Sequence, residues 1–388
     1  MHIQSKLPKV GTTIFSVMSK LAAEHNAINL SQGFPNFPSS ERLQNLVTQA
    51  MQNGQNQYAP MPGLPALCEQ LAIKNRKLYA ANLNSATEIT ITNGASEAIF
   101  SAITALVHQG DEVIIIEPAY DCYRPAIELC GAKVVVYEAL APDFAVDWTV
   151  FATLITPKTR LMLINNPQNP TATTFDNSDW EAVERLTEGT NIIVLSDEVY
   201  EHLVFDGNAH CSILARPALW QRTIATYSFG KTFHNTGWKV GYCAAPDYLM
   251  TEIRKVHQFN VFSVTTPIQV ALAEFLKDEN EYLTLPNFYQ AKRDFFVQCL
   301  AQTPLKLLPC KGTYFQLASY AHLSNERDTD FALRLVREFG VAAIPISAFY
   351  ESGKDEKILR FCFAKTNETL AAAAARLKGL HNKNAVGF

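Results

Sequence analysis

The residues most able to do chemistry stand just beyond apolar runs. Residues 226–242 read TYSFGKTFHNTGWKVGY, with Gly-Lys-Thr at 230–232. A phosphate-wrapping P-loop places its first glycine five positions earlier, but that residue is Ala225, which carries a Cβ. The acid-ended run IIVLSDE, closing on Asp197 and Glu198, precedes the lysine, the reverse of the usual nucleotide-hydrolase order. Lys231 therefore needs another role. EITIT is followed by Asn93-Gly94-Ala95-Ser96 at a helix start, where free N–H groups and the helix dipole favour an anion. Asp197 ends a buried run and needs a partner there, and Tyr200 follows it. Ser228 and Lys239 flank Lys231, and NNPQNPTA offers Asn165 and Asn169. Singly, each reads equally well as a cap, a turn or a surface residue.

The elements that must position these residues alternate. Ala95, Ala98, Ile99, Ala102, Ile103, Leu106 and Val107 make one helical stripe. EVIIIEP, AKVVVYE, RLMLINN, NIIVLSD and TIATYS read as apolar strands, with helices YDCYRPAIELCG and SDWEAVERLTEG between some of them. Strand–helix alternation predicts a mostly parallel α/β sheet flanked by helices, whose ligands sit beyond the carboxyl ends of the strands. Past residue 245 the pattern changes. Two helical stretches, about 247–277 and 280–302, lead to TYFQLA, a helix TDFALRLVREFG ending at Gly340, strands VAAIPIS and KILRFCFAK, and a helix NETLAAAAARLKGL. This is a smaller α+β domain. The opening forty-odd residues carry no such pattern and are expected to cross the domain junction. The division expected is 1–45 as N-terminal arm and part of the small domain, 46–279 as large domain, and 280–388 as small C-terminal domain, with the tail HNKNAVGF frayed.

Composition narrows the class. Apolar residues make up 48% and charged residues 18% of 388, with a net charge of −4. That is an ordinary soluble enzyme with no general attraction to nucleic acid or to acidic membranes. No apolar run reaches membrane-spanning length, and the first residues lack a signal-peptide core. Eight cysteines without a CxxC pair read as reduced thiols in the cytoplasm, and the histidines show no metal spacing.

Jointly, the strand ends would gather an anion site, a buried carboxylate, a phenol, an amide and an amine. Pyridoxal 5′-phosphate asks for that set: a lysine for its aldehyde, a helix N-terminus for its phosphate, an acid for its ring nitrogen and an aromatic face. At this point the chain resembles a known family. LSQGFPNF, NQYAPMPG, TNGASEA, EPAYDCY, NNPQNPTA, SDEVYEH, SFGKTFHNTGWKVGY, KGTYF and LRFCFAK follow one another as in the class I aminotransferases of the aspartate-aminotransferase fold. The chain is similar to the branch holding bacterial methionine aminotransferase and the kynurenine aminotransferase/glutamine transaminase group.

The resemblance implies roles. Lys231 would bind the cofactor aldehyde and move the substrate proton. Asp197 would pair with the ring nitrogen, and Tyr200 and Asn169 would bond the ring oxygen. Tyr120 would stack on the ring. Ala95, Ser96, Ser228 and Lys239 would hold the phosphate, joined by Tyr58 from the other subunit of a homodimer. Arg360, Asn169 and the N–H of Gly33 would bind the substrate carboxylate. Where many relatives have glycine, this chain has Ala172. The implied reaction is ping-pong amino transfer between an amino acid and a 2-oxo acid. No second arginine can be picked out for an acidic side chain, and the segments near the expected pocket are aromatic and apolar, which suits methionine, aromatic amino acids or glutamine. A cysteine-conjugate C–S β-lyase or a kynurenine/glutamine–phenylpyruvate aminotransferase on the same scaffold is the alternative. A transcription regulator would need a DNA-binding module, for which the roughly thirty residues before GFPNF are too few.

Overall fold

The structure, a computed structural model, describes residues 3–380; the tail expected to fray lies outside them. The strands in chain order are β1 (Ile28–Asn29), β2 (Ile89–Thr92), β3 (Glu112–Glu117), β4 (Lys133–Glu138), β5 (Thr159–Asn165), β6 (Ile193–Asp197), β7 (Thr223–Ser228), β8 (Gly241–Ala244), β9 (Lys306–Leu307), β10 (Phe315–Ser319), β11 (Val341–Ala342), β12 (Ile344–Pro345) and β13 (Ile358–Cys362).

Seven of these form the central sheet, in the order β2-β8-β7-β6-β5-β3-β4. Neighbours from β7 to β4 are parallel, and β8 runs antiparallel to both β7 and β2. The carboxyl ends of β2, β3, β5, β6 and β7 therefore share one edge. Alternate residues on each strand enter opposite cores. Ile114, Ile116, Met162, Ile164 and Val194 pack on one face, while Val113, Ile115, Leu161, Leu163, Ile193 and Leu195 pack on the other. Burial on both faces is why these strands read as continuous apolar runs rather than as alternation.

The N-terminal residues hold helices that the sequence reading passed over: α1 (Ile14–Glu24), α2 (Glu41–Gln52) and α3 (Pro65–Tyr79). α3 buries Lys74 and Asn75 among its apolar residues, which blurs its stripe. β1 pairs in parallel with β11, and Leu30 accepts a hydrogen bond from the Cys362 N–H, so this segment is stitched to the C-terminal elements. β12, β13, β10 and β9 form an antiparallel four-stranded sheet there.

The stretch expected as one helix over 247–277 is two, Asp247–Asn260 and Thr266–Phe275. Phe262 adopts φ 66° between them, and Pro267 fits only the first turn of the second. The next stretch likewise divides into Asn280–Leu283 and Leu285–Leu300, with Pro286 in the first turn of the latter. VAAIPIS makes two two-residue strands rather than one. Gly340 ends its helix at φ 63°, as expected of a left-handed cap. No helix among the described residues is long and apolar enough to cross a membrane.

Candidate active site

Sheet register assembles the polar edge. Asn165 lies beside Asp197, and Asp197 beside Thr226. Two residues on, Ser228 faces Gly241, which also faces Thr92 of β2. A Cβ on Gly241 would fall 2.3 Å from the Tyr227 oxygen and 3.0 Å from the Ala95 nitrogen, so only glycine lets these backbones close up. They enclose a cleft of about 730 Å³, in which Ala95, Ser96, Tyr120, Asn169, Asp197, Tyr200, Ser228, Lys231 and Lys239 all take part.

Lys231 sits in the short helix Phe229–Thr232 that follows β7, and its Nζ donates to the Gly33 oxygen at 3.2 Å. Burial brings its pKa down to about 8. Asp197 accepts from the Tyr123 hydroxyl at 2.6 Å and from the Val199 N–H at 3.3 Å. Burial pushes its pKa up to about 6, against the pull of those two donors. A carboxylate this deep, with only neutral hydrogen-bond donors, suits a cationic ring nitrogen. Asn165 Nδ2 donates to the Asp197 carbonyl at 2.8 Å, and Asn165 Oδ1 accepts from the Asn169 N–H at 2.8 Å, which ties the NNPQNPTA loop to the strand end.

At the helix start, α4 (Gly94–Leu106) presents Ala95 and Ser96 in its first turn. Gly94 has φ 74°, and a Cβ there would lie 3.3 Å from Lys239 Nζ. Glycine thus leaves a bare backbone cradle beside a cation, which suits a phosphate. Tyr120 precedes α5 (Tyr123–Leu129), with its ring edge-on to Tyr123 at 5.7 Å.

Arg360, on β13, is 1% exposed. Its guanidinium donates to Asn169 Oδ1 at 2.5 Å and to the Ser31 carbonyl at 3.0 Å, while Nε is buried without a partner among the described residues. Phe315, Phe349 and Phe15 surround its cationic carbon at 3.9, 5.0 and 5.3 Å. Burial lowers its pKa to about 10, so it stays charged at neutral pH. A buried cation with an unsatisfied donor is poised for a planar carboxylate.

Gly33 accepts through its carbonyl from Lys231 Nζ and from the Tyr314 hydroxyl at 2.5 Å. Tyr58 stands outside the cleft, 82% exposed and edge-on to Phe262 at 5.4 Å. Ala172 does adopt a positive φ, 61°, and is buried. Sequence reasoning gave no role to Tyr123, Ser31 or Phe15. Only the spacing of Tyr123 from Tyr120 hinted at one of them, since Ser31 acts through its backbone. Among the described residues, no His/Cys/Asp/Glu group could hold a metal ion.

Comparison with known proteins agrees with this geometry. Residues 25–377 match the family described as aminotransferase class I and II. Methionine aminotransferase of Escherichia coli K12 is 50% identical over 378 residues, covering 97% of this chain and 98% of that protein. Kynurenine–oxoglutarate transaminase 1 of Mus musculus is 35% identical, covering 92% and 93%. The solved structure of N-succinyldiaminopimelate aminotransferase from Mycobacterium tuberculosis superposes with a TM-score of 0.94 at 35% identity, covering 98% of this chain and 100% of that one. Lys231, Asp197, the glycine-backed helix start and the buried Arg360 with its unpaired Nε suit pyridoxal phosphate and an amino acid, and the chain belongs to the class I and II aminotransferases, a family of pyridoxal phosphate-dependent transaminases.

Proposed function

We propose that this aminotransferase takes methionine as amino donor, accepts aromatic amino acids or glutamine more weakly, and passes the amino group to a 2-oxo acid. The observation that carries this reading is Arg360: a buried guanidinium with an open Nε, walled by three phenylalanines. Such a site binds an α-carboxylate and then offers apolar surface to the side chain. The similarity to the E. coli methionine aminotransferase supports the same donor.

The cofactor, when bound, supplies an electrophilic aldehyde and an electron sink for the substrate Cα. Lys231 would hold it covalently, Asp197 its ring nitrogen, Tyr200 and Asn169 its ring oxygen, and Tyr120 its face. Ala95, Ser96, Ser228 and Lys239 would hold its phosphate. With its pKa near 8, the Lys231 amine is partly unprotonated at neutral pH. It can take the proton from the substrate Cα and return it, as general base and then acid. Asp197 would stay ionised beside the cofactor, since a protonated ring nitrogen would offset the cost of burying the carboxylate. Arg360 and Asn169 orient the carboxylate, so the Cα–H faces the lysine.

Three further readings belong here. The exposed Tyr58 suits a homodimer in which it completes the neighbouring subunit's phosphate site. The pairing of residues 28–29 with 341–342 supports a small domain built from 1–45 and 280–388 around a large domain of 46–279. A cytoplasmic location suits eight thiols, none in a disulfide. The experiment for the central reading is a panel of amino acids against 2-oxo acids on the purified holoenzyme. Methionine should give the highest kcat/KM; aspartate in first place refutes it. Pyruvate and ammonia released from a cysteine conjugate, with no oxo-acid acceptor, would favour the β-lyase instead.

A further inference from the structure

A second cleft, of about 1630 Å³, adjoins the first, and Tyr120 lines both. Phe15 and Phe349 form its inner wall, edge-on to each other at 5.8 Å, and both lie over Arg360. Phe349 ends the short 3₁₀ turn Ile346–Phe349, which Ser347 ties to Asp328 at its start, and its far side is held by the chain that follows. The Phe349 carbonyl accepts from the Ala119 N–H at 2.9 Å. Two residues on, the Glu351 N–H donates to Glu117 Oε2 at 2.9 Å, and the Glu351 carboxylate pairs with Arg124 and, at 3.0 Å, with Lys9. Arg124 in turn donates to Glu117 at 2.8 Å. Arg124 thus bridges β3 and the 349–351 loop, and Lys9 adds the N-terminal arm.

We propose that Arg124 and Glu351 are positioning residues, a clamp that holds Phe349 against Arg360 and so sets the apolar wall receiving the side chain of the amino-acid substrate. The clamp rests on the substrate reading above. Both cations of this cleft are spent on its carboxylates, Lys9 on Glu351 and Arg124 on Glu117 and Glu351. Neither is left over for an acidic side chain. Side-chain exposures of 21% for Arg124 and 39% for Glu351 leave the pair open to salt. The clamp acts on substrate capture and not on the proton transfer at Lys231.

The test uses holoenzyme of the wild type, Arg124→Met, Arg124→Lys and Glu351→Gln. The half-reaction with methionine, followed by cofactor absorbance after rapid mixing, gives a limiting rate and a half-saturation concentration. Arg124→Met should raise half-saturation about tenfold and leave the limiting rate within about twofold, as expected for losing one charge-assisted contact that shapes binding. Arg124→Lys should recover most of the loss. About 0.5 M salt should raise half-saturation in the wild type but not in Arg124→Met. Unchanged half-saturation in Arg124→Met and Glu351→Gln, or a limiting rate that falls as far as half-saturation rises, overturns the clamp. If Arg124→Met does not fold, Glu351→Gln alone decides by the same criterion. A wild type that reacts with no amino acid overturns the function reading itself, before any variant is compared.

Discussion

Replacing Arg360 by lysine keeps the charge and removes the fork. In the structure the guanidinium spends two nitrogens on Asn169 and Ser31 and keeps Nε free. An ammonium presents one compact centre and cannot satisfy both protein acceptors while pairing with a planar carboxylate. It also loses the flat contact with Phe315 at 3.9 Å. Truncating one member of a buried charged pair costs about 2–5 kcal/mol, and the retained charge places lysine near the low end, about 2–3 kcal/mol. At 1.36 kcal/mol per decade, kcat/KM for methionine should fall roughly 30- to 150-fold. The assay is the methionine half-reaction of the holoenzyme, run beside 3-(methylthio)propylamine, which is methionine without its carboxylate. The amine should react slowly with the wild type and no more slowly with Arg360→Lys. A methionine loss below about fivefold, or an equal loss with the amine, refutes the assignment of Arg360 to the α-carboxylate.

The remaining predictions concern the lysine, a buried pair and one alanine. Because burial sets Lys231 near 8, its nucleophilic neutral form grows about tenfold per pH unit below that value. Colour formation between cofactor-free protein and pyridoxal should therefore speed up from pH 6 to 8 and level off above, and should vanish in Lys231→Ala; a rate still climbing about tenfold per unit from pH 8 to 10 rejects the shift. Lys74 and Glu201 form an ion pair at 2.5 Å with side chains 5% and 4% exposed, so Lys74→Ala should strand a buried carboxylate and cost about 3–5 kcal/mol in urea unfolding. A loss under 1 kcal/mol would show that Glu201 finds other compensation. At Ala172, φ 61°, changing to glycine relieves left-handed strain but removes a buried methyl and frees the unfolded chain. These offset, and stability should move by less than about 1 kcal/mol, with kcat unaltered; a larger gain in melting temperature would show that the strain dominates.

Much of the architecture was legible because burial on both faces leaves a plain mark. β3, β5 and β6 carry apolar runs through their middles and β7 is buried along most of its length, and each leads to a polar residue at the cleft: Asn165, Asp197, Ser228, and Tyr120 three residues after β3. The resemblance carried by the ordered motifs then supplied roles. The first helices were harder to read. α3 hides Lys74 and Asn75 inside, and the breaks at Phe262 and in VAAIPIS depend on backbone conformations that periodicity does not encode.

The sequence by itself determined which side chains could do chemistry and that most follow strands, since a strand's carboxyl end is fixed by local pattern. Only the tertiary structure decided how they meet. The Asn165–Asp197–Thr226 register, the Tyr123 hydroxyl on Asp197, the close approach at Gly241, and Arg360 arriving beside Asn169 from 191 positions away all depend on contacts between distant segments. The carbonyl of Gly33 facing Lys231, a contact no local pattern signals, shows the same limit. Residue type states what a group can donate or accept; the packed backbone settles which atom it meets and how far water is kept away, and those two quantities set the pKa values and the orientation on which the reaction depends.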